Sequence, residues 1–237
     1  MNNIYITGDI HGTLDIKKLG SSFTPLNCDS SDYVIILGDF GLLWTPYPSR
    51  EEKKWLNWFD DQPWTTLVVD GNHENHERFA ALRSVDKFKS TVGQISKKIF
   101  HLRRGHVYTI HGKTFFTMGG ARSIDQNSRV EGVSWWRGEI PSFAEFDLGL
   151  QNLEARDWKV DYILSHTGPT GAIAEYLFSI GVFNNQHALI DPVSKYLDTI
   201  CEQTQFERCF FGHMHPAQTW YTHDEKYCLI YDEVLKL

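Results

Sequence analysis

Long apolar runs are missing from this sequence: no stretch approaches the roughly 20 consecutive apolar residues of a membrane span. Cysteine is scarce, with Cys28, Cys201, Cys209 and Cys228 the only four in 237 residues, and no two form a Cys-x-x-Cys pair. That spacing points to neither a zinc ribbon nor a thioredoxin-type redox site, and fits reduced thiols packed as small hydrophobes. A basic excess is missing too. Lys and Arg total 23 against 30 Asp and Glu, a formal charge of −7, which argues against a general nucleic-acid binder and against a tight hold on long strands. The opening Met-Asn-Asn-Ile-Tyr-Ile-Thr-Gly-Asp has no basic segment followed by an apolar one. No secretory signal is therefore visible, no membrane partner is expected, and the expected compartment is the reducing cytoplasm.

What is present reads as a globular protein. Hydrophobic residues make up 41% and charged residues 22%, enough for a sizeable core without disulfides. The length suits one domain over residues 1–237. Eleven His is a high count. Short runs rich in Ile, Val and aromatics recur, each closed by a turn signal or a His. Ile4–Thr7 precedes Gly8-Asp9, Tyr33–Leu37 precedes Gly38-Asp39, and Thr66–Val69 precedes Asp70-Gly71-Asn72. Tyr162–Ser165 precedes His166 and Arg208–Phe211 precedes Gly212-His213. These predict five buried strands. Helical character falls between them at Thr13–Ser22, Ser49–Asp60, Asn75–Ser84, Pro141–Asp157 and Gln186–Glu202. Ile99–Leu102, His106–Ile110 and Thr114–Met118 read as strands in close succession, the last two joined at His111-Gly112-Lys113. Gln218–Thr222 and Tyr227–Tyr231 form another pair. The expectation is an α/β protein with two β-layers. Residues 119–141 lack periodicity, as functional loops often do.

The chemistry sits just beyond the strands. Asp9 and His11 follow the first, Asp39 the second, Asn72, His73 and Glu74 the third, His166 the fourth, and His213 and His215 the fifth. Loops beyond the carboxyl ends of parallel strands converge on the ligand crevice, so these residues are expected to meet at one sheet edge. Residues i and i+2 on an extended segment point the same way, so Asp9 with His11, and His213 with His215, can each hold an ion. Carboxylate, imidazole and amide oxygen together suit Mn, Fe or Zn rather than Ca.

In order, these residues spell Asp-x-His, Gly-Asp, Gly-Asn-His-Glu, a lone His and Gly-His-x-His. The set resembles the calcineurin-like metallophosphoesterase superfamily, in its bacterial or phage-associated form. The resemblance implies a two-sheet β-sandwich flanked by helices, in four layers α/β/β/α. It implies a hydrolase of phosphate esters working with two divalent transition ions, manganese first and Fe, Zn or Ni as alternatives. Asp9, His11 and His215 would hold the first ion, Asn72, His166 and His213 the second, and Asp39 both. A hydroxide bridging the ions would be the nucleophile. His73 would protonate the leaving oxygen, and Glu74 would be an outer carboxylate that orients an imidazole. Two divalent ions less the charges of Asp9, Asp39 and hydroxide leave a positive site inside an acidic chain.

This sequence departs from the protein Ser/Thr phosphatases of that superfamily. They carry arginines in the second block and just before Gly-Asn-His-Glu, where this chain has Gly38-Asp39-Phe40-Gly41-Leu42-Leu43-Trp44 and Asp70. The missing arginines tilt the expected substrate toward a phosphodiester or nucleotide. A phosphomonoesterase or phosphoprotein phosphatase is the alternative. Phe40, Leu42, Leu43 and Trp44 read first as loop packing and second as an apolar wall. Within residues 119–141, Arg122, Arg129 and Arg137 offer forked donors to phosphate and Trp135 and Trp136 offer stacking faces. The competing reading pairs those arginines with Asp125, Glu131 and Glu139. His76, His101, His106, His111, His187 and His223 belong to no block and read as surface or hydrogen-bonded residues. A non-catalytic protein-binding scaffold on the same fold is the rival from another class. A complete ligand set with His73 weighs against it, and structural zinc would need only four ligands.

Overall fold

The computed structural model describes residues 2–20, 28–183 and 190–237. The short aliphatic runs at the start of the chain form β1 (Ile4–Thr7), β2 (Tyr33–Leu37) and β3 (Thr65–Val69), paired in parallel in that order. The same sheet continues through β6 (Ile99–Leu102), parallel to β3, to β5 (Ser90–Gln94) and β4 (Arg83–Lys87), which run antiparallel. Its other edge is β13 (Val234–Lys236), antiparallel to β1. The second sheet has the order β11-β12-β10-β9-β8-β7, built from Trp220–Tyr221, Tyr227–Leu229, Arg208–Phe211, Tyr162–Ser165, Lys113–Met118 and Val107–Ile110. Its strands β8, β9, β10 and β12 are parallel.

Side chains alternate across each strand, and this sorts the core into layers. Ile4 and Ile6, Ile35 and Leu37, and Leu67 and Val69 face the second sheet, where they meet Phe115, Tyr162, Leu164 and Phe210. Tyr5, Val34, Ile36 and Val68 face outward and pack with Phe59 of α1 (Arg50–Asp61) and with Trp64. On the far side, Phe116, Ile163 and Cys209 pack against Leu153 of α3 (Phe143–Glu154) and Leu197 and Ile200 of α5 (Pro192–Gln203). Helix α4 (Thr170–Ser179) covers Phe211 and Leu229 through Ile173, Tyr176 and Leu177. Each such side chain contributes about 1.5–3 kcal/mol when fully buried. The result is the expected pair of sheets flanked by helices. Ser49 caps α1, a Ser142–Glu145 capping box opens α3, and Asp191 followed by Pro192 opens α5.

Several expectations need correction. The predicted helix Thr13–Ser22 is a 3-10 turn over Ile16–Leu19, and residues 21 and 22 lie outside the described residues. Asn75–Ser84 holds only the short α2 (His76–Ala80) before the chain becomes β4. The β4–β5 hairpin turns on Phe88 and Lys89, both left-handed at φ 56° and 59°. That turn lacks the Asn-Gly signal by which a hairpin is usually recognised. The predicted His111-Gly112 turn is present, with φ 49° and 79°. The strands read in close succession divide between layers: β6 ends in the first sheet and β7 starts in the second. Helix α4 and strand β13 were not expected. The predicted Gln186–Glu202 becomes Pro192–Gln203, and residues 186–189, with His187, lie outside the described residues.

Candidate active site

The predicted ligands do gather, but not at the edge of one sheet. Asp9, His11, Asp39, Asn72 and His73 follow β1, β2 and β3 of the first sheet, while His166, His213 and His215 follow β9 and β10 of the second. The crevice lies where the carboxyl ends of both parallel sets meet. Four of these residues, like six other non-glycine residues among those described, have a positive φ. His11, Asp39, His213 and His215 have φ of 47°, 46°, 69° and 43°, a left-handed region that costs a non-glycine residue roughly 1–3 kcal/mol when strained. The loops hold one another there. Ile10 and His11 donate backbone N–H to Asp39 O at 3.1 and 2.7 Å, and Gly212 donates to His166 O at 2.8 Å. A Cβ at Gly71 would collide with Asp39 Oδ1, and one at Gly212 with Asp9 Oδ1. Glycine therefore lets backbone approach the two carboxylates.

Two groups of ligating atoms form, one of Asp9, His11 and His215, the other of Asp9, Asp39 and His166, each with its atoms within 4.8 Å of one another. In the first, His215 Nε2 lies 2.8 Å from Asp9 Oδ2, and His11 Nε2 lies 3.9 Å from the same oxygen. In the second, His166 Nε2 faces Asp39 Oδ1 at 3.3 Å and Asn72 Oδ1 at 3.0 Å. Asp39 Oδ2 faces His11 Nε2 at 3.3 Å, so each oxygen of one carboxylate addresses a different group. His213 packs its ring 4.9 Å from that of His166 and donates its backbone N–H to Asp9 Oδ1 at 3.1 Å.

The donor set fits a cation. His166 Nδ1 donates to the carbonyl of Leu37 at 2.7 Å, and a carbonyl only accepts. In a neutral ring Nε2 is then bare, facing two acceptor oxygens. Without a metal ion between them, His166 must keep a second proton. Burial opposes that charge, but Asp39 and Asp9 raise its pKa to about 10. His11 behaves alike: its Nδ1 lies 2.7 Å from Asp15 Oδ2, and against burial the contacts with Asp39 raise it to about 9. Asp9 and Asp39 are fully buried, yet nearby imidazoles, His166 foremost, keep both carboxylates low. Carboxylate, amide and imidazole donors together suit Mn, Fe, Zn or Ni.

His73 stands apart from both groups. Its backbone N–H donates to Asp39 Oδ1 at 2.8 Å, while its ring Nε2 stays 4.0 Å from Asp39 Oδ2. The ring packs 5.7 Å from that of His11 and lies parallel to Trp44 at 6.1 Å. Burial lowers its pKa, and the Arg129 charge adds to that. Arg129 of the loop is thus within electrostatic reach of His73, although it is bonded to Asp125 at 2.7 Å and to Ser134 O at 3.0 Å. Arg137 is exposed and pairs with Glu131, and Arg122 donates its backbone N–H to Asp191. Arg129 and Arg137 thus pair with Asp125 and Glu131, while the Glu139 carboxylate accepts from Ser123 and Gln126. Trp136 is buried edge-on against Trp44, and Trp135 is half-buried. Phe40, Leu42 and Leu43 are core residues, not a wall.

Glu74 does not orient an imidazole. Its carboxylate accepts the backbone N–H of Phe40 at 2.6 Å and of Gly41 at 3.2 Å, bracing the loop that carries Asp39. Burial pushes its pKa well up. The carboxylate that does orient a ligand is Asp15, four residues beyond His11, a spacing that could have marked it. Tyr231 stacks on His215 at 4.3 Å, and Lys18 Nζ bonds Asp9 O and Tyr231 O at 2.5 Å each. Neither carried a sequence signal. Asp70, at the place of a phosphate-clamping arginine in the protein phosphatases, turns away to Arg104 Nε at 2.7 Å and His101 Nε2 at 2.8 Å. His76 packs beside Arg104, His106 meets Ser90 Oγ, and His111 meets Ser31 O.

A profile of the calcineurin-like phosphoesterase family matches residues 3–217. Among curated proteins none matches by sequence. The fold is similar to the crystal structure of phosphopantetheinyl hydrolase (PptH) from Mycobacterium tuberculosis, with a TM-score of 0.55, 16% identity, and coverage of 97% of this chain and 90% of that one. Among the described residues no helix is long and apolar enough to cross a membrane. With its ligating side chains gathered where two parallel strand sets meet, the chain belongs to the calcineurin-like phosphoesterase family and is a metal-dependent phosphoester hydrolase.

Proposed function

We propose that the protein hydrolyses a phosphodiester or a nucleotide phosphate ester with two divalent transition ions, manganese first among them. One observation carries the dinuclear part: Asp39 offers Oδ2 to His11 and Oδ1 to His166, each at 3.3 Å. A carboxylate so placed could bridge two ions. Asp9, His11 and His215 would hold one ion, and Asn72, His166 and His213 the other. When bound, the ions supply Lewis-acid charge for the phosphoryl oxygens and lower the pKa of water toward neutral. His73, held by its backbone to Asp39 and by Trp44 at its face, gives its ring proton to the leaving oxygen. Arg129 lies near enough to meet the substrate's anionic edge if it leaves Asp125. The diester preference rests on the missing clamp, since Asp70 and Arg104 are committed to each other behind the site. Free thiols at Cys28, Cys201, Cys209 and Cys228 suit a cytoplasmic setting.

The test is reconstitution with Mn followed by assay on p-nitrophenyl phosphate, bis-p-nitrophenyl phosphate, a nucleotide panel and a phosphopantetheinyl ester, the last because of the structural neighbour. Turnover of the diester or a nucleotide above the monoester is the expected result. Preference for the monoester overturns the substrate class. Inactivity on all, with both ions bound, favours the scaffold.

A further inference from the structure

Asn72 has an amide whose two ends are chemically opposite, and only its oxygen can serve a cation. Something must decide which end faces His166. Its Nδ2 donates to Ser123 Oγ at 3.0 Å, and Ser123 Oγ donates to Glu139 Oε2 at 2.6 Å. The other carboxylate oxygen, Glu139 Oε1, accepts Ser123 N at 3.2 Å and Gln126 Nε2 at 3.0 Å. Glu139 is fully buried, and Ser123 and Asn72 are each 4% exposed, so water does not compete for these groups.

With Glu139 ionised, the direction of each bond is fixed; burial raises the pKa of that carboxyl, and its hydrogen bonds from Ser123 work against the rise. An ionised carboxylate only accepts, so the Ser123 hydroxyl proton points at Glu139. Ser123 Oγ then has only lone pairs left for Asn72, and the Asn72 amide must present its NH2 group there. Its oxygen is thereby turned to His166 Nε2, 3.0 Å away. We propose that Ser123 and Glu139 are positioning residues for the second ion, setting the Asn72 amide with its oxygen toward that ion. This rests on the proposed role of Asn72 as a ligand. It also gives the 119–141 loop a task at the metal centre, since Ser123 and Glu139 stand near its two ends.

Glu139→Gln is the diagnostic change because it keeps size and reverses polarity. The Gln oxygen must stay where two donors converge, on Ser123 N and Gln126 Nε2, so its NH2 faces Ser123 Oγ. Ser123 then donates to Asn72, whose oxygen turns toward it and away from the ion. A carboxylate at position 72 accepts from Ser123 and still faces the ion, so Asn72→Asp repairs the reversal.

Mn titration followed by electron paramagnetic resonance and calorimetry counts the ions and ranks their affinities. Wild-type protein binding fewer than two ions overturns the dinuclear reading itself, separately from the positioning role. With two bound, Ser123→Ala and Glu139→Gln are each expected to weaken the second ion about 10–100-fold, leave the first within error, and keep the circular dichroism of the fold. The double variant Asn72→Asp/Glu139→Gln is expected to recover most of the loss. Wild-type affinity for both ions in the two single variants overturns the proposal. So does an equal loss at both sites, or a loss in Glu139→Gln that Asn72→Asp leaves unrepaired, because either marks a merely structural role.

Discussion

The two ligand groups are held in different ways. The His11–His215 group is open: those side chains are 15% and 43% exposed, with the partly exposed Asp15 and Tyr231 around them. The His166–Asn72 group is closed, with His166 fully buried and both side-chain polar atoms of Asn72 directed by Ser123 or His166. Position in the open group depends on ring packing and one carboxylate. In the closed group it depends on a chain of directional hydrogen bonds. A closed set is preorganised and slow to exchange, while an open one trades rigidity for access.

Removing the carboxylate that faces both His11 and His166 has the largest expected effect. Asp39→Ala should lose the bridge, so that Mn content measured by plasma emission falls toward zero and turnover falls to background. Retention of two ions would refute the bridging role. Metal removal should then separate the groups. Under a chelator one ion is expected to leave quickly and the other slowly, and a single phase would erase the contrast. His73 belongs to neither group, so His73→Ala should keep both ions yet lose about 10²–10⁴-fold on an alkyl ester. Full activity there would remove it as proton donor. Smaller again, Asp15→Ala should weaken only the open ion, by about 10–100-fold, the mirror image of Ser123→Ala. The smallest effect is a proton count. The contacts of His11 and His166 with Asp39 and Asp9 outweigh burial and raise their pKa to about 9 and about 10. Both therefore carry protons at pH 7 before loading and lose them on binding, so affinity should rise with pH up to that range. Calorimetry in buffers of different ionisation enthalpy reads the number released.

How much of this was legible follows a physical line. The candidate ligands were readable because each lies one to four residues beyond a strand end, where short-range pattern and chemistry coincide. β1, β2, β9 and β10 fall at the predicted residues for the same reason. Apart from Asp15, four residues beyond His11, the groups that orient these residues were not readable. Ser123 reaches Asn72 across 51 residues, and Tyr231 reaches His215 only through the tertiary fold. Glu74 was readable as an outer carboxylate but its target was not: the side chain reaches the Phe40 backbone rather than an imidazole. The β4–β5 hairpin hid behind Phe88 and Lys89, residues without a turn signature. Nor did any local pattern say that β6 and β7 part company into different sheets.

That parting at Arg103–His106 has a consequence for how the protein is made. Neither sheet carries all the residues proposed to hold either ion: Asp9, His11 and Asn72 belong to the first, and His166, His213 and His215 to the second. On the ribosome the amino-terminal ligands emerge at least 94 residues before His166, given the separation of Asn72 from it. At roughly 5–20 residues per second, the amino-terminal residues wait several seconds or more for His166, and Asp9 waits longer still for His213 and His215. Newly made chains thus pass through a stage at which both carboxylates are present and neither ion has a complete shell.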